Sequence, residues 1–79
     1  MVWRVVEHGD RRWNVTMAAE RRPNASEWSL VFSFRCTDPG QRTLWVTYPL
    51  SSGSKAALFA QADRLSAATL AQFLAQQLD

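Results

Sequence analysis

The chain has 79 residues, a single cysteine, a single histidine and a net charge of +2 at neutral pH. This length predicts one small domain spanning residues 1–79. One cysteine excludes an intrachain disulfide, and the scarcity of cysteine and histidine excludes a structural zinc site. Such a small domain buries only about 60–65% of its unfolded surface. We therefore expect either self-association or an aromatic-rich core to stabilise it.

Hydropathy and cysteine content bear on the compartment. The residues after Met1, Val-Trp-Arg-Val, begin no apolar run of seven or more, so they do not resemble a signal peptide. No window approaches the roughly 20 apolar residues of a membrane-spanning helix. A disulfide-free chain is typical of a reducing environment. These features predict a cytoplasmic protein without membrane attachment.

The first two predicted strands, residues 2–7 and 12–20, form a hairpin around the turn signal Gly9-Asp10. Apolar residues alternate in the second strand from Trp13 onwards, which is typical of a half-buried strand. A three-residue loop at 8–10 pairs residue 5 with 13, whereas a two-residue turn pairs 7 with 12 and reverses the faces of the first strand. We expect the three-residue loop, because it places Trp3 on the apolar face with Trp13.

The clearest strand is the third, residues 27–37, in which strict alternation places five side chains on one face: Trp28, Leu30, Phe32, Phe34 and Cys36. The sequence DPGQ (38–41) predicts a turn with Gly40 at a position that needs a positive φ. A fourth strand follows over residues 42–48, and we expect Pro49 to end it, because proline lacks a backbone donor. Short connections favour an antiparallel meander.

Residues 49–54 are a predicted linker, followed by a short helix over 55–63 and an amphipathic helix over 67–78 that is capped by Ser66. The second helix has an apolar stripe formed by Leu70, Phe73, Leu74 and Leu78. The predicted fold class is therefore α+β: a four-stranded antiparallel β-meander followed by a C-terminal helical segment packed on one sheet face.

One helical layer leaves the other sheet face uncovered, and the alternation places Trp45 there, opposite in phase to Leu44 and Val46. The residues expected beside it on this face, with Val6 near the hairpin, are Arg35, Arg4, Arg12 and Val31. Three interpretations remain open. Trp45 packs under arginine stems, or it belongs to a protein interface, or it stacks on the bases of a single-stranded nucleic acid.

We expect a non-catalytic binding module whose partner is another protein or a second copy of itself. The alternative is single-stranded nucleic-acid binding through Arg35 and Trp45. The order of strands and helix resembles the topology of Whirly and PUR-type single-strand binders, which bind nucleic acid and often dimerise. This resemblance concerns element order alone, and no residue motif of this sequence carries it.

Other candidate residues favour structural roles. Two arginine pairs, Arg11-Arg12 and Arg21-Arg22, lie in loops at opposite ends of the second strand. They form two small basic patches that are available for phosphate contact but are not joined into a stripe. His8 beside Asp10 lacks a nucleophile or metal partner, and Cys36 has the phase of the core. We expect no enzyme activity, no cofactor, no metal and no small-molecule ligand.

Overall fold

The computed structural model describes residues 2–38 and 40–78. Four strands precede two helices along the chain: β1 (Arg4–His8), β2 (Arg11–Glu20), β3 (Trp28–Cys36), β4 (Leu44–Ser52), α1 (Lys55–Ala62) and α2 (Ala67–Leu78). The strands form one antiparallel sheet in the order β1-β2-β3-β4, and both helices pack on one face of it. The predicted α+β meander with a C-terminal helical segment is confirmed.

The β1–β2 register differs from the expected one. Val6 pairs with Trp13, and Glu7 pairs with Arg12, across a two-residue turn. Gly9 and Asp10 have φ values of 57° and 63°. Two successive positive φ values define a type I′ turn, whose twist matches that of the flanking strands. The three-residue loop was wrong because this turn geometry, rather than the apolar area of β1, sets the pairing.

The register reverses the faces of β1. Val6 is buried in the core instead of lying on the uncovered face, whereas Val5 is 47% exposed. Trp3 nevertheless packs on the helical side. It precedes β1, and its amide donates to the carbonyl of Val15, the residue with which Arg4 pairs. Its ring stacks on Phe32 at 5.6 Å between centroids. Trp3 therefore joins the core through a local departure from the ladder.

The core lies between β3 and the helices. Phe32, Phe34, Leu70 and Leu74 are fully buried in one cluster, as their spacing predicts. Phe73 is half-buried, and its ring packs against Phe32, Phe34 and Tyr48. Trp28 is also half-buried, at the edge of the cluster. Edge-to-face and tilted contacts among these rings add to the stabilisation from apolar burial.

β4 continues beyond the expected end at Pro49 and reaches Ser52. The pairing shifts between Ser29 and Leu30, so that Ser29 pairs with Ser51 while Leu30 pairs with Tyr48. This bulge accommodates Pro49, which is tolerated because β4 is an edge strand and needs no outward backbone donor. The shift spans two residues, so the residues before and after it keep their faces.

The connections of the second half follow the sequence signals. Gly40 has the expected positive φ of 87°, whereas Pro39 of the same predicted turn lies outside the described residues. Ser54 accepts from the amide of Ala57 at the start of α1, and Ser66 accepts from the amide of Thr69 at the start of α2. Both serines therefore act as N-caps, and the expected cap at Ser66 is confirmed.

Candidate binding face

The sheet face opposite the helices, called the open face below, is defined by the cross-strand register. Thr16 of β2, Ser33 of β3 and Trp45 of β4 form one row across it, and Ala18, Val31 and Thr47 form the next. Its other members on the strands are Val5, Glu7, Arg12, Asn14, Glu20, Ser29, Arg35 and Ser51. Arg35, Arg12, Val31 and Trp45 thus lie on the predicted face.

Trp45 is the most exposed large apolar side chain described, at 68% of its surface. The cation–π contacts among the described residues involve Trp3 and Trp28, and none involves the Trp45 ring. Packing under arginine stems, one of the three interpretations of its phase, would bury much of the indole. The exposed ring favours the two binding interpretations over local packing.

A shallow depression of about 770 Å³ lies on the open face beside Trp45. Trp45 and Val2 are its large apolar lining residues, and Thr16, Ser33 and Arg35 are among its polar ones. The depression extends to the segment after β3, where Thr37, Asp38, Gly40, Gln41 and Thr43 line it. Val2 is 47% exposed, as is Val5 on the adjoining strand. The expected three-residue loop placed Val5 on the covered face, which was wrong. The Gly-Asp turn could have predicted Val5, because a two-residue turn fixes its phase.

The centre of the open face is closely packed although neither described helix covers it. Val31 is only 9% exposed and Ser33 only 6%. The Thr16 and Ser33 hydroxyls hydrogen-bond to each other across β2 and β3. Neighbouring side chains on adjacent strands therefore cover these small residues. The result is a flat, low floor, from which Trp45 projects at one side.

Charges on the open face are separated along the strands. Glu20 is the last residue of β2 and pairs with Ser29. Glu27 lies just before β3, and its carboxylate accepts from the Ser51 hydroxyl at 2.8 Å. Arg12 and Arg35 lie at the opposite end, where Arg12 is 3.9 Å from Glu7. Arg35 forms no ion pair with a described residue. One end is acidic and the other mildly basic.

Arg4 does not lie on the open face, and its assignment there was wrong. Its guanidinium donates to the carbonyls of Leu65 and Asp63, at 2.5 and 2.6 Å, in the linker between the helices. The same group lies 4.6 Å from the Trp3 ring centroid, while the Trp3 indole donates to the Asp63 carboxylate at 2.8 Å. The reversed β1 register turns Arg4 toward the helices, where it satisfies carbonyls that the helical chain leaves free.

The loop arginines lie at opposite ends of β2, as the meander predicts. Arg11 forms an exposed ion pair with Asp38 at 3.3 Å. The Arg21 guanidinium and the Lys55 ammonium lie 4.8 and 4.4 Å from the Trp28 ring centroid. Arg22 is exposed. Arg11 and Arg21 therefore have local partners, and the structure brings neither patch together with Trp45.

The remaining residues considered for chemistry occupy structural positions. Cys36 is buried in the core, as its phase predicts, and His8 is half-buried at the end of β1. Within residues 2–38 and 40–78, no three histidine, cysteine or acidic side chains are grouped to hold a metal ion. Neither described helix has the length and apolar character needed to cross a bilayer.

The fold and the open face define a small sheet-and-helix domain with one uncovered sheet face. Comparison of the chain with known protein families, with curated proteins and with solved structures finds no significant match. The likeness to Whirly and PUR-type proteins therefore remains one of element order, and the open face itself is the feature that bears on function.

Proposed function

We propose that this protein is a non-catalytic binding module that acts through protein–protein contact, with a second copy of itself as the partner. The observation that carries the proposal is Trp45, which is 68% exposed on a sheet face that no helix covers. Val2 and Val5 extend the exposed apolar surface on the other side of that face. Tryptophan and arginine are the residues most enriched among those that dominate binding energy at protein interfaces.

The small size of the core also supports self-association. A chain of this size has a small core and gains much from covering a second sheet face. Packing two sheets face to face buries side chains at a spacing of about 10 Å, which small residues such as Val31, Ser33 and Thr16 permit. Self-association would therefore bury the indole and give the sheet its missing layer.

The decisive experiment measures molecular mass against concentration by size-exclusion chromatography with light scattering. We expect the wild-type mass to rise toward that of a dimer, and Trp45→Ala to weaken association by about 2 kcal/mol or more, as expected of a hot spot. Leu78→Ala is the matched control, because Leu78 is an exposed apolar residue on α2, away from the open face. A wild-type protein that stays monomeric at every concentration contradicts the proposal.

Single-stranded nucleic-acid binding is the second candidate, and it is supported by Arg35 and Trp45 lining the same depression. The charge on the open face favours it less, because Glu7, Glu20 and Glu27 outnumber Arg12 and Arg35. If it is correct, an oligonucleotide binds at low salt, and Trp45→Ala lowers its affinity by roughly 1–3 kcal/mol for the lost stacking contact. The absence of binding at low salt would exclude this candidate.

The proposal includes a cytoplasmic location, which the lone, buried Cys36 supports, since the chain needs no oxidising compartment to fold. It also includes the absence of catalysis and of a small-molecule ligand. Of the residues that line the open-face depression, Cys36 has its thiol buried in the core and Asp38 has its carboxylate paired with Arg11; the others have mainly hydroxyl, amide and arginine groups.

A further inference from the structure

The charges flanking Val31 are symmetrically placed along β3. Val31 lies in the middle of the open face, between Ala18 and Thr47. Glu27 precedes it by four residues and Arg35 follows it by four, and both side chains are exposed. At about 3.3 Å per residue, each lies roughly 13 Å from Val31. Arg35 has the phase of Val31 on β3, and the hydrogen bond from Ser51 places Glu27, just before β3, on the same face. Opposite charges are therefore equidistant from the centre of the face.

We infer that the open face takes a second copy of this chain in an antiparallel arrangement, with a two-fold axis that passes by Val31 and runs across the strands. This inference rests on the proposed function. Rotation about that axis places Glu27 of each copy over Arg35 of the other. A two-fold interface uses the same patch on both copies, so the face must be complementary to itself. The arrangement of Glu27 and Arg35 meets that requirement.

The same rotation is compatible with the shape of the face. Trp45 lies one row from Val31 on the side of Arg35, and Ser29 and Ser51 lie one row away on the side of Glu27. The protruding indole of each copy therefore meets the small side chains of Ser29 and Ser51 of the other, beside the Glu27 carboxylate that accepts from Ser51. Aligned sheets cross at about 30°, which moves the ends of β3 sideways by roughly 7 Å. Extended arginine and glutamate side chains span that distance together.

The charges of the open face favour a two-fold axis across the strands over one parallel to the strands, which would also pack the two faces together. An axis parallel to the strands would stack like ends together, with Glu20 and Glu27 near their own counterparts and Arg35 near Arg12 of the second copy. Like charges facing each other across an interface cost several kcal/mol and suppress that packing. An axis across the strands pairs the acidic end of each copy with the basic end of the other.

The available area suits a dimer of ordinary size. Four strands spaced about 4.8 Å apart, with up to about ten residues each, give a flat face of roughly 19 by 30 Å. The exposed side chains of Trp45, Val2 and Val5 raise the accessible area above that flat value of roughly 570 Å². It thereby approaches the roughly 800 Å² that each partner buries in a standard interface.

A charge-swap series measured by sedimentation equilibrium at low salt tests the orientation. Arg35→Glu and Glu27→Arg are each expected to weaken the homodimer at least about tenfold, because each places two like-charge pairs in the interface. The doubly substituted chain should return to within about threefold of the wild-type dissociation constant. An equimolar mixture of the two single variants should form a heterodimer tighter than either homodimer. Circular dichroism verifies that each variant is folded.

Each other outcome overturns the inference in a distinguishable way. A tighter dimer for Arg35→Glu would show that like ends are stacked. Single variants that weaken the dimer without recovery in the double variant would show that Glu27 and Arg35 do not face each other. Equal dissociation constants for all four proteins would place the interface elsewhere. In these cases self-association still stands, whereas a monomeric wild-type protein removes the proposed function as well.

Discussion

Arg4 and Arg35 are the same residue type in neighbouring parts of one sheet, yet their surroundings give them different roles. The Arg4 guanidinium is bonded to two linker carbonyls and lies over the Trp3 ring. Arg35 is exposed on the open face without an ion-pair partner among the described residues. The contacts of Arg4 therefore give it a role in stability, whereas the proposed function assigns Arg35 a role in binding.

This difference predicts separate effects for the two substitutions. Arg4→Ala should lower the free energy of unfolding by about 2 kcal/mol, since hydrogen bonds to a charged group each contribute about 1.5–3 kcal/mol and part of that loss is recovered by water. Arg35→Ala should change the unfolding of the monomer by less than about 0.5 kcal/mol but weaken self-association. Urea unfolding at low concentration and light scattering measure the two effects. Arg22→Ala, in an exposed loop, is the control, and it is expected to change neither unfolding nor self-association. Identical effects of Arg4→Ala and Arg35→Ala would refute the separate roles assigned to the two arginines.

The β1–β2 hairpin shows how a local element decides the position of a whole strand face. Its turn requires positive φ at both Gly9 and Asp10. A three-residue loop would have buried Val5 and exposed Arg4 and Val6, so the turn determines which of these residues reach the open face. Turn conformation is a stronger constraint here than the modest apolar gain of the other register.

The positive φ of Gly9 predicts that an alanine there destabilises the turn through backbone strain and not through steric contact. A Cβ added at Gly9 would meet no atom within 4 Å, but its φ is +57°. Gly9→Ala should therefore destabilise the protein by about 1 kcal/mol through backbone strain. Gly53→Ala is a matched control, since its added Cβ also meets nothing and its φ is not in the left-handed region. Thermal denaturation compares the two variants. Equal melting temperatures would show that an alanine at the positive φ of position 9 causes no measurable strain.

At the scale of the whole molecule, the domain has a covered sheet face and an uncovered one. The helices supply the layer over the Phe32 side, and the proposed second copy supplies the layer over the Val31 side. Folding and association then become coupled, because a partner that binds only the folded chain stabilises it by mass action.

This coupling predicts a concentration-dependent melting temperature. When the free protein exceeds the dissociation constant about 100-fold, association adds about 2.7 kcal/mol. For a domain of this size that corresponds to a rise of roughly 10–20 °C, at about 4–8 °C per kcal/mol. Differential scanning calorimetry over a hundredfold concentration range measures it. Trp45→Ala should show a much smaller rise, and a wild-type midpoint that does not depend on concentration would argue against coupled association.

Much of the architecture was predictable from local patterns. The strict alternation of β3 indicates which of its residues are buried, because a strand over a core has a period of two. Ser66 and the apolar stripe of α2 predict where that helix begins and which side it buries. These signals involve neighbouring residues and backbone geometry, so the chain carries them without reference to the fold. The exposed phase of Trp45 was predictable for the same reason.

Other features depended on contacts between distant segments. Whether Arg4 faced the helices depended on the register of β1 against β2, and its carbonyl partners lie some 60 residues later in the chain. The continuation of β4 through Pro49 depended on that strand lying at the edge of the sheet, which only the assembled strand order decides. The symmetry of charge about Val31 likewise has meaning only on a finished, uncovered face. Local periodicity determines which residues of a strand share a face. Pairing between strands determines which parts of the molecule that face contacts.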